Sequence, residues 1–481
     1  MVVPQHVPVT EADPLRWIRY LIWLYFALLL VEGALRKWVV PSLANPLLII
    51  RDPVVVAIYG LALARGVFPF NKFVIALLVI GGLCVIAGVF APFFNIGVSL
   101  FGWRCNILHL PLIFVMGRVL EFKDVRWFGR WALIIAIPMT ALVVQQFRST
   151  PDSWFNAGAG IDATQITFTG NKVRPSGTFS FVAGIIHFYS LVTVFLIYGL
   201  VEKRTYPLWL TAIVGLCLPA TLAVSGSRST VAMAAIVALA FVVALFLRPS
   251  LIGKAMKLIA IVITLVFLAG SLAVFQSVFN EGMESFTKRM QETENVEGGF
   301  DGFVARFVGT FTKSFDTMSD VPLLGYGLGV GTNVGSRLLT GQTDFVLAED
   351  EWERIIAESG ALLGCAYLLV RVLLALQLAA MSARAARMGH FLPLLLVGAC
   401  GVPIVSGQFG QSTTLGFTCF LGGLCLASMH LPAQAAAAVI AAKRTPRALP
   451  HKVLALRAAI QARRTAARGS AWTQKLLDSN T

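Results

Sequence analysis

Apolar residues dominate long stretches of this chain, and polar residues gather between them. A helix that crosses a bilayer needs about 20 largely apolar residues. Runs of that kind lie at roughly 17–36, 44–64, 72–91, 106–120, 127–146, 179–200, 207–224, 229–247, 256–278, 355–373, 391–409 and 413–430. The fourth is short and is interrupted by Pro111. The pattern predicts an all-α, polytopic integral membrane protein of about twelve transmembrane helices. Two segments, at about 147–178 and 279–353, are too polar to span. The expected layout is an N-terminal segment (1–16), nine spans (17–278), a large loop (279–353), three spans (354–430) and a basic tail (431–481). The tail places Val453, Leu456 and Ile460 on one helical face among basic residues, a pattern that fits an interfacial helix and a frayed soluble tail equally well.

Composition agrees. Of the 481 residues, 57% are hydrophobic and 13% charged, where a soluble domain carries about 25% charged residues. The seven cysteines lie mostly in apolar runs, with no zinc-type or paired spacing. The N-terminus lacks a basic n-region and a small-residue cleavage site, so the first run is expected to stay as an anchor.

Net charge is +15, and its distribution favours membrane loops over a nucleic-acid partner. Segment 279–353 holds 13 acids and five bases, so it carries −8 and the rest of the chain +23. With the N-terminus inside, each alternate connection is basic: Arg65 and Lys72; Arg118, Lys123, Arg126 and Arg130; Lys203 and Arg204; Arg248, Lys254 and Lys257; Arg384 and Arg387. The positive-inside rule then puts both termini in the cytoplasm and both long polar segments outside. Arg36, Lys37 and Arg51 are the exception.

Four features of the expected external side could carry chemistry. SGSRST, 225–230, sets Ser227 and Arg228 at the start of a span. Hydroxyls, a helix N-terminus and a guanidinium fork suit an anion, and a capped helix start explains the motif equally well. RPSGTF, 174–179, places Arg174 at a turn before another span. Arg306 lies among Phe303, Phe307 and Phe311, spaced for an amphipathic helix whose charges could simply face water. The fourth runs from PLLGYGLGVGTN, 322–333, into AEDEWERIIAESGALLG. Its alternating glycines suit bends or close backbone approach, not a dinucleotide fingerprint. Glu349, Asp350, Glu351 and Glu353 could be dipole-favoured helix-start acids, a general base, or ligands for a divalent cation.

These features, in this order, resemble the O-antigen ligase and O-antigen/exopolysaccharide polymerase superfamily. The matching motifs are SGSR, ARF followed by PLLGYG, and AESGALLG, within residues 170–375. The resemblance implies a GT-C-like fold in a bacterial inner membrane. It implies a periplasmic-face glycosyltransferase that takes glycan from undecaprenyl diphosphate and passes it to a glycan or lipid acceptor, without a resident cofactor. The family's diphosphate-binding arginines map onto Arg228 and Arg306, with Arg174 and Ser227 beside them. Ligases of the family keep a histidine nine residues before the Glu of A-E-x-G; that Glu is Glu358 here, and the slot holds Glu349, followed by Asp350. A carboxylate can also take a proton from a hydroxyl, with a much lower ordinary pKa than histidine. The position carries over and the chemistry does not, which favours a polymerase over a ligase. Two other classes fit part of the pattern: a secondary transporter using Glu32, Arg51 and Asp52, and a non-catalytic member of a polysaccharide assembly complex.

Overall fold

A computed structural model of the chain describes residues 13–430 except 161–164, 166, 169–171, 203–204, 254–255, 257–275, 278, 285–286, 289–290, 292–308, 310, 342–346 and 349. Most of the ninth expected span, and the basic tail with its expected interfacial helix, lie outside the described residues.

The apolar runs fold as helices. In the first half these are α1 (Arg16–Ala34), α2 (Asp52–Ala64), α3 (Lys72–Val89), α4 (Ile96–Trp103), α5 (Leu112–Val119) and α6 (Phe122–Arg148). They are followed by α7 (Ala183–Val201), α8 (Leu208–Val224), α9 (Arg228–Leu247) and the short α10 (Asn333–Thr340). The last three are α11 (Glu351–Arg387), α12 (Leu392–Ser406) and α13 (Ser412–Ser428). Local signals fix several starts. Asn71 and Asn95 accept the first free amides of α3 and α4, and Glu121 with Asp124 forms a capping box on α6.

Eight helical stretches among the described residues are long and apolar enough to cross a membrane. α8, α12 and α13 are apolar but shorter, at 17, 15 and 17 residues. The chain is therefore a largely helical membrane protein. Two expectations need correction. The weak fourth run is part of a 24-residue stretch, Ile96–Val119. Pro111 is tolerated there because it stands just before α5, where a missing amide costs nothing. The expected tenth span, 355–373, runs across a kink at Gly360 that divides α11 into two helical pieces, and the second piece continues to Arg387. The all-α expectation also misses a small antiparallel hairpin, Thr167–Phe168 with Lys172–Val173.

α7 is the central helix: 78% of its most apolar window is buried, against 28% for α9. It packs on α6, α8, α9, α12 and α13. Aromatic rings tie the other helices together: Trp23 of α1 stacks on Phe128 of α6 at 3.8 Å, and Phe26 on Phe420 of α13 at 4.8 Å. Leu239, Phe246, Leu369 and Leu376 face outward, as suits a body whose solvent is lipid.

The contacts define two ends. At one, connections are mostly short. Arg19 reaches the carbonyl of Val119 and the carboxylates of Glu121 and Asp124. Tyr206 donates to the carbonyl of Arg126, and His430 meets that of Gly117. Hydrogen bonding from Lys123, aided by Arg19, holds the Glu121 carboxyl below its ordinary range. The long polar segments gather at the other end. Trp38 donates to the carbonyl of Trp154, Arg148 to Ser277, and Lys172 pairs with Glu281.

Candidate functional site

The site at the polar end is built on the start of α11. Asp350 stands in the extended N-cap position, and Glu351 and Glu353 occupy the first turn, where the helix dipole favours acids. Glu351 turns inward and is 2% exposed. It pairs with Arg354 at 3.0 Å and, across the kink at Gly360, with Arg371 at 2.8 Å. Arg354 also pairs with Glu358 at 2.8 Å and donates to Asn106 Oδ1 at 3.2 Å. Arg371 donates to the carbonyls of Ile404 and Gly407, and its guanidinium lies 3.9 Å from the Phe409 ring centre. It thereby fastens the free carbonyls at the end of α12 to α11.

The glycine-rich run packs directly on this network. Gly360 has φ 74°, so α11 cannot continue its regular hydrogen bonding there. The carbonyls of Ala357 and Glu358 accept instead from Tyr326 N at 2.8 Å and Gly327 N at 3.1 Å. The Glu358 side chain accepts from Gly331 N at 3.0 Å. Gly329 has φ 88° and lies so close to α4 that a Cβ would strike the carbonyl of Val98. The glycines thus serve close approach, as their spacing suggested. Thr332 then caps α10 by accepting from Gly335 N.

Between these pieces opens a cavity of about 360 Å³. Gly331, Thr332, Asn333 and Ala348 form one wall, Asp350, Glu351 and Arg354 a second, and Gln408, Gly410 and Gln411 a third.

A second charge network lies between α1, α2 and the turn joining α4 to α5. Arg51, fully buried, donates to Glu32 at 2.9 Å and to the Ser412 carbonyl at 2.6 Å. Tyr25 meets His109 Nδ1 at 3.1 Å, and His109 Nε2 meets Asp52 at 2.9 Å. Arg104 closes the chain on Asp52 at 2.6 Å. Nearby, Arg36 donates to the Ala44 carbonyl and to Ser180. Arg36, Lys37 and Arg51 broke the charge pattern of the loops because none of them is a loop charge; all three are buried and hydrogen-bonded inside the body.

The RPSG turn is clamped from two sides. Lys37 donates to Ser176 Oγ at 2.6 Å and the Gly177 carbonyl at 2.9 Å, and Gln146 accepts from Gly177 N at 2.8 Å. Arg174 is half-buried beside this turn, and its Nε has no hydrogen-bond partner among the described residues. In the SGSR turn Gly226 takes φ 56°, Ser227 is buried at the N-cap position without capping, and Arg228 is the first residue of α9. Ala223, just before it, packs on Gly282, so this turn also belongs to the polar end.

Of the residues expected to act, Arg306 and Glu349 lie outside the described residues. Asp350 lines the cavity; Arg174, Ser227 and Arg228 share its end of the body and do not line it. Sequence reading passed over Arg354, Arg371, Asn106, Gln408 and Gln411. The spacing E-x-x-R-x-x-x-E, and an arginine inside an apolar run, were signals for the first two. Among the described residues no group of three His, Cys, Asp or Glu could hold a metal ion. No family model matches the chain, and no curated protein does.

Proposed function

We propose that the chain is a membrane glycosyltransferase of the polysaccharide polymerase or O-antigen ligase type, with the polymerase favoured. Its spans number about twelve in a GT-C-like arrangement, both termini are cytoplasmic, and the polar end faces the periplasm of a bacterial inner membrane. One observation carries the reading: PLLGYG and AESG, two of the motifs behind the family resemblance, bond directly to each other beside a carboxylate-lined cavity. SGSR and RPSG open onto the same end.

In this reading Arg228 and Arg306, assisted by Arg174 and Ser227, hold the diphosphate of an undecaprenyl-linked glycan and stabilise the charge that develops as it leaves. Asp350 or Glu349 takes the proton of an acceptor hydroxyl. The acceptor oxygen forms its bond to the anomeric carbon as the bond to the diphosphate breaks, with inversion, and undecaprenyl diphosphate departs. The test is polymer formation by purified protein from a lipid-linked glycan. Arg228→Lys and Arg306→Lys keep charge but lose the planar fork, so full activity in both overturns the clamp. Asp350→Asn paired with Glu349→Gln is expected to lower the rate by roughly 10²–10⁴. A metal at Glu349 is excluded if a chelator leaves the rate unchanged.

The buried chain from Glu32 through Arg51, Tyr25 and His109 to Asp52 supports a second reading, a secondary transporter. Deleting the gene separates the two. Loss or detachment of surface glycan supports transfer, and unchanged glycan supports transport of another solute.

A further inference from the structure

The cavity at the start of α11 differs in chemistry from an anion site. Among the described residues that line it, the one cation is Arg354, and its guanidinium is already engaged by Glu351, Glu358 and Asn106. Two carboxylates, Asp350 and Glu351, against that one guanidinium leave the lining at −1. A phosphate entering here would meet Asp350 and, among the described residues, no cation that lacks a carboxylate partner, and like charges repel.

The rest of the polar lining is neutral and two-sided. Asn333, Gln408 and Gln411 each carry an acceptor oxygen and two donor hydrogens. Gln411 Nε2 donates to Gln408 Oε1 at 2.6 Å, which holds the two amides as a pair. Groups that both donate and accept match ligand groups that do the same, and hydroxyls are the common case. The volume of about 360 Å³ stands near the lower end of the roughly 300–1,000 Å³ typical of ligand pockets.

We infer that this cavity is a subsite for a neutral, polyhydroxylated ligand, a sugar ring, in which Asn333, Gln408 and Gln411 select the ligand and the diphosphate is excluded. As the place of the acceptor it rests on the transfer reaction proposed above; binding itself needs no turnover. The chemistry is thereby divided between two places at one end of the body, phosphate at the arginine-bearing turns and sugar at the amide-lined cavity.

The test labels a single thiol placed in the wall. Gln411→Cys, and independently Asn333→Cys, are made in the full chain with Cys217 and Cys365 changed to Ser, since these are the two native thiols that are not buried. Each variant is treated in detergent with neutral, anionic and cationic methanethiosulfonates of similar size. The anionic reagent is expected to react roughly fivefold or more slowly than the neutral one, and Asp350→Asn to erase most of that difference. A panel of neutral methyl glycosides of hexoses and N-acetylhexosamines, in millimolar excess, is expected to slow labelling at both positions for at least one member, while inorganic pyrophosphate does not. Equal or faster reaction with the anionic reagent overturns the inference, as does protection by pyrophosphate or by no glycoside. Polymer formation is measured in parallel on the parent chain and on Gln408→Ala with Gln411→Ala. Glycoside protection without polymer formation by the parent keeps the subsite and removes the transferase reading. Polymer formation that survives both alanines with unchanged acceptor KM keeps the transferase and removes the subsite.

Discussion

Two buried charge networks stand side by side in this protein, and they are finished differently. The one around Arg51 is closed: Arg51 is fully buried and its guanidinium reaches Glu32, Tyr25 and the Ser412 carbonyl, while Asp52 is held by both Arg104 and His109. The one around Glu351 has the same kind of pairs at the same distances, but its edge forms the wall of a cavity. Buried ion pairs add little net stability over a well-packed apolar core, and they become expensive when one partner is lost. A closed network is therefore best read as a device that fixes helix register. An open one also holds polar groups ready for a ligand.

Substitutions can break or sharpen that contrast. The largest effect is expected from Arg51→Ala, which among the described residues leaves Glu32 with only Arg36, 3.8 Å away, as an ion-pair partner. Loss of about 3–5 kcal/mol follows from stranding a buried charge, seen as a collapse in monodisperse yield and thermal midpoint in detergent. Adding Glu32→Gln should recover much of it; no recovery would mean that Arg51 acts through its other contacts. Glu351→Gln is expected to cost less, about 2–3 kcal/mol. Arg354 keeps Glu358, and Arg371 keeps its carbonyls on α12. A thermal shift as large as that of Arg51→Ala would erase the distinction drawn here. Gly329→Ala tests the wall: its positive φ and the carbonyl of Val98 make the cost about 1–3 kcal/mol. Hydrogen exchange should show the loosening confined to α4, α10 and the glycine run.

The smallest effect is expected far from both networks. Glu121→Gln removes an exposed partner of Arg19 and Lys123 and should change stability by no more than about 0.5 kcal/mol. Its folded-state carboxyl lies below the ordinary range, so the contribution is present above the unfolded pKa and fades as pH falls through the folded one. Wild type and variant should thus converge in thermal midpoint under acid.

The helices were legible because lipid imposes a simple rule of length and apolarity on each. Where the rule failed, a local cause is visible. The stretch from Ile96 was underrated because a break at Pro111 was weighed without the helix before it. α11 was underrated because Glu351, Arg354 and Glu358 look like surface residues until their mutual spacing places them on one inward side. For the site, Asp350 and the glycine run could be picked out by composition and motif order. Gln408 and Gln411 could not, since glutamine carries no charge pattern and the residues they face come from 54–80 positions earlier in the chain. Arg36, Lys37 and Arg51 show the opposite failure, charges counted as loop markers that in fact hold helices together.

The connection between α4 and α5 runs through a wide π-helical turn, Arg104–Leu108. Such a turn carries one residue more than an α-turn and so displaces the faces on either side of it. Here it works like a three-way joint. Arg104 and, just beyond, His109 hold Asp52, whereas Asn106 holds Arg354 with its side chain and Tyr367 with its carbonyl. Asp52 at the start of α2 and Arg354 at the wall of the cavity are thus held by residues at most three positions apart on one turn, so a ligand that shifts Arg354 is expected to be felt at the first two helices.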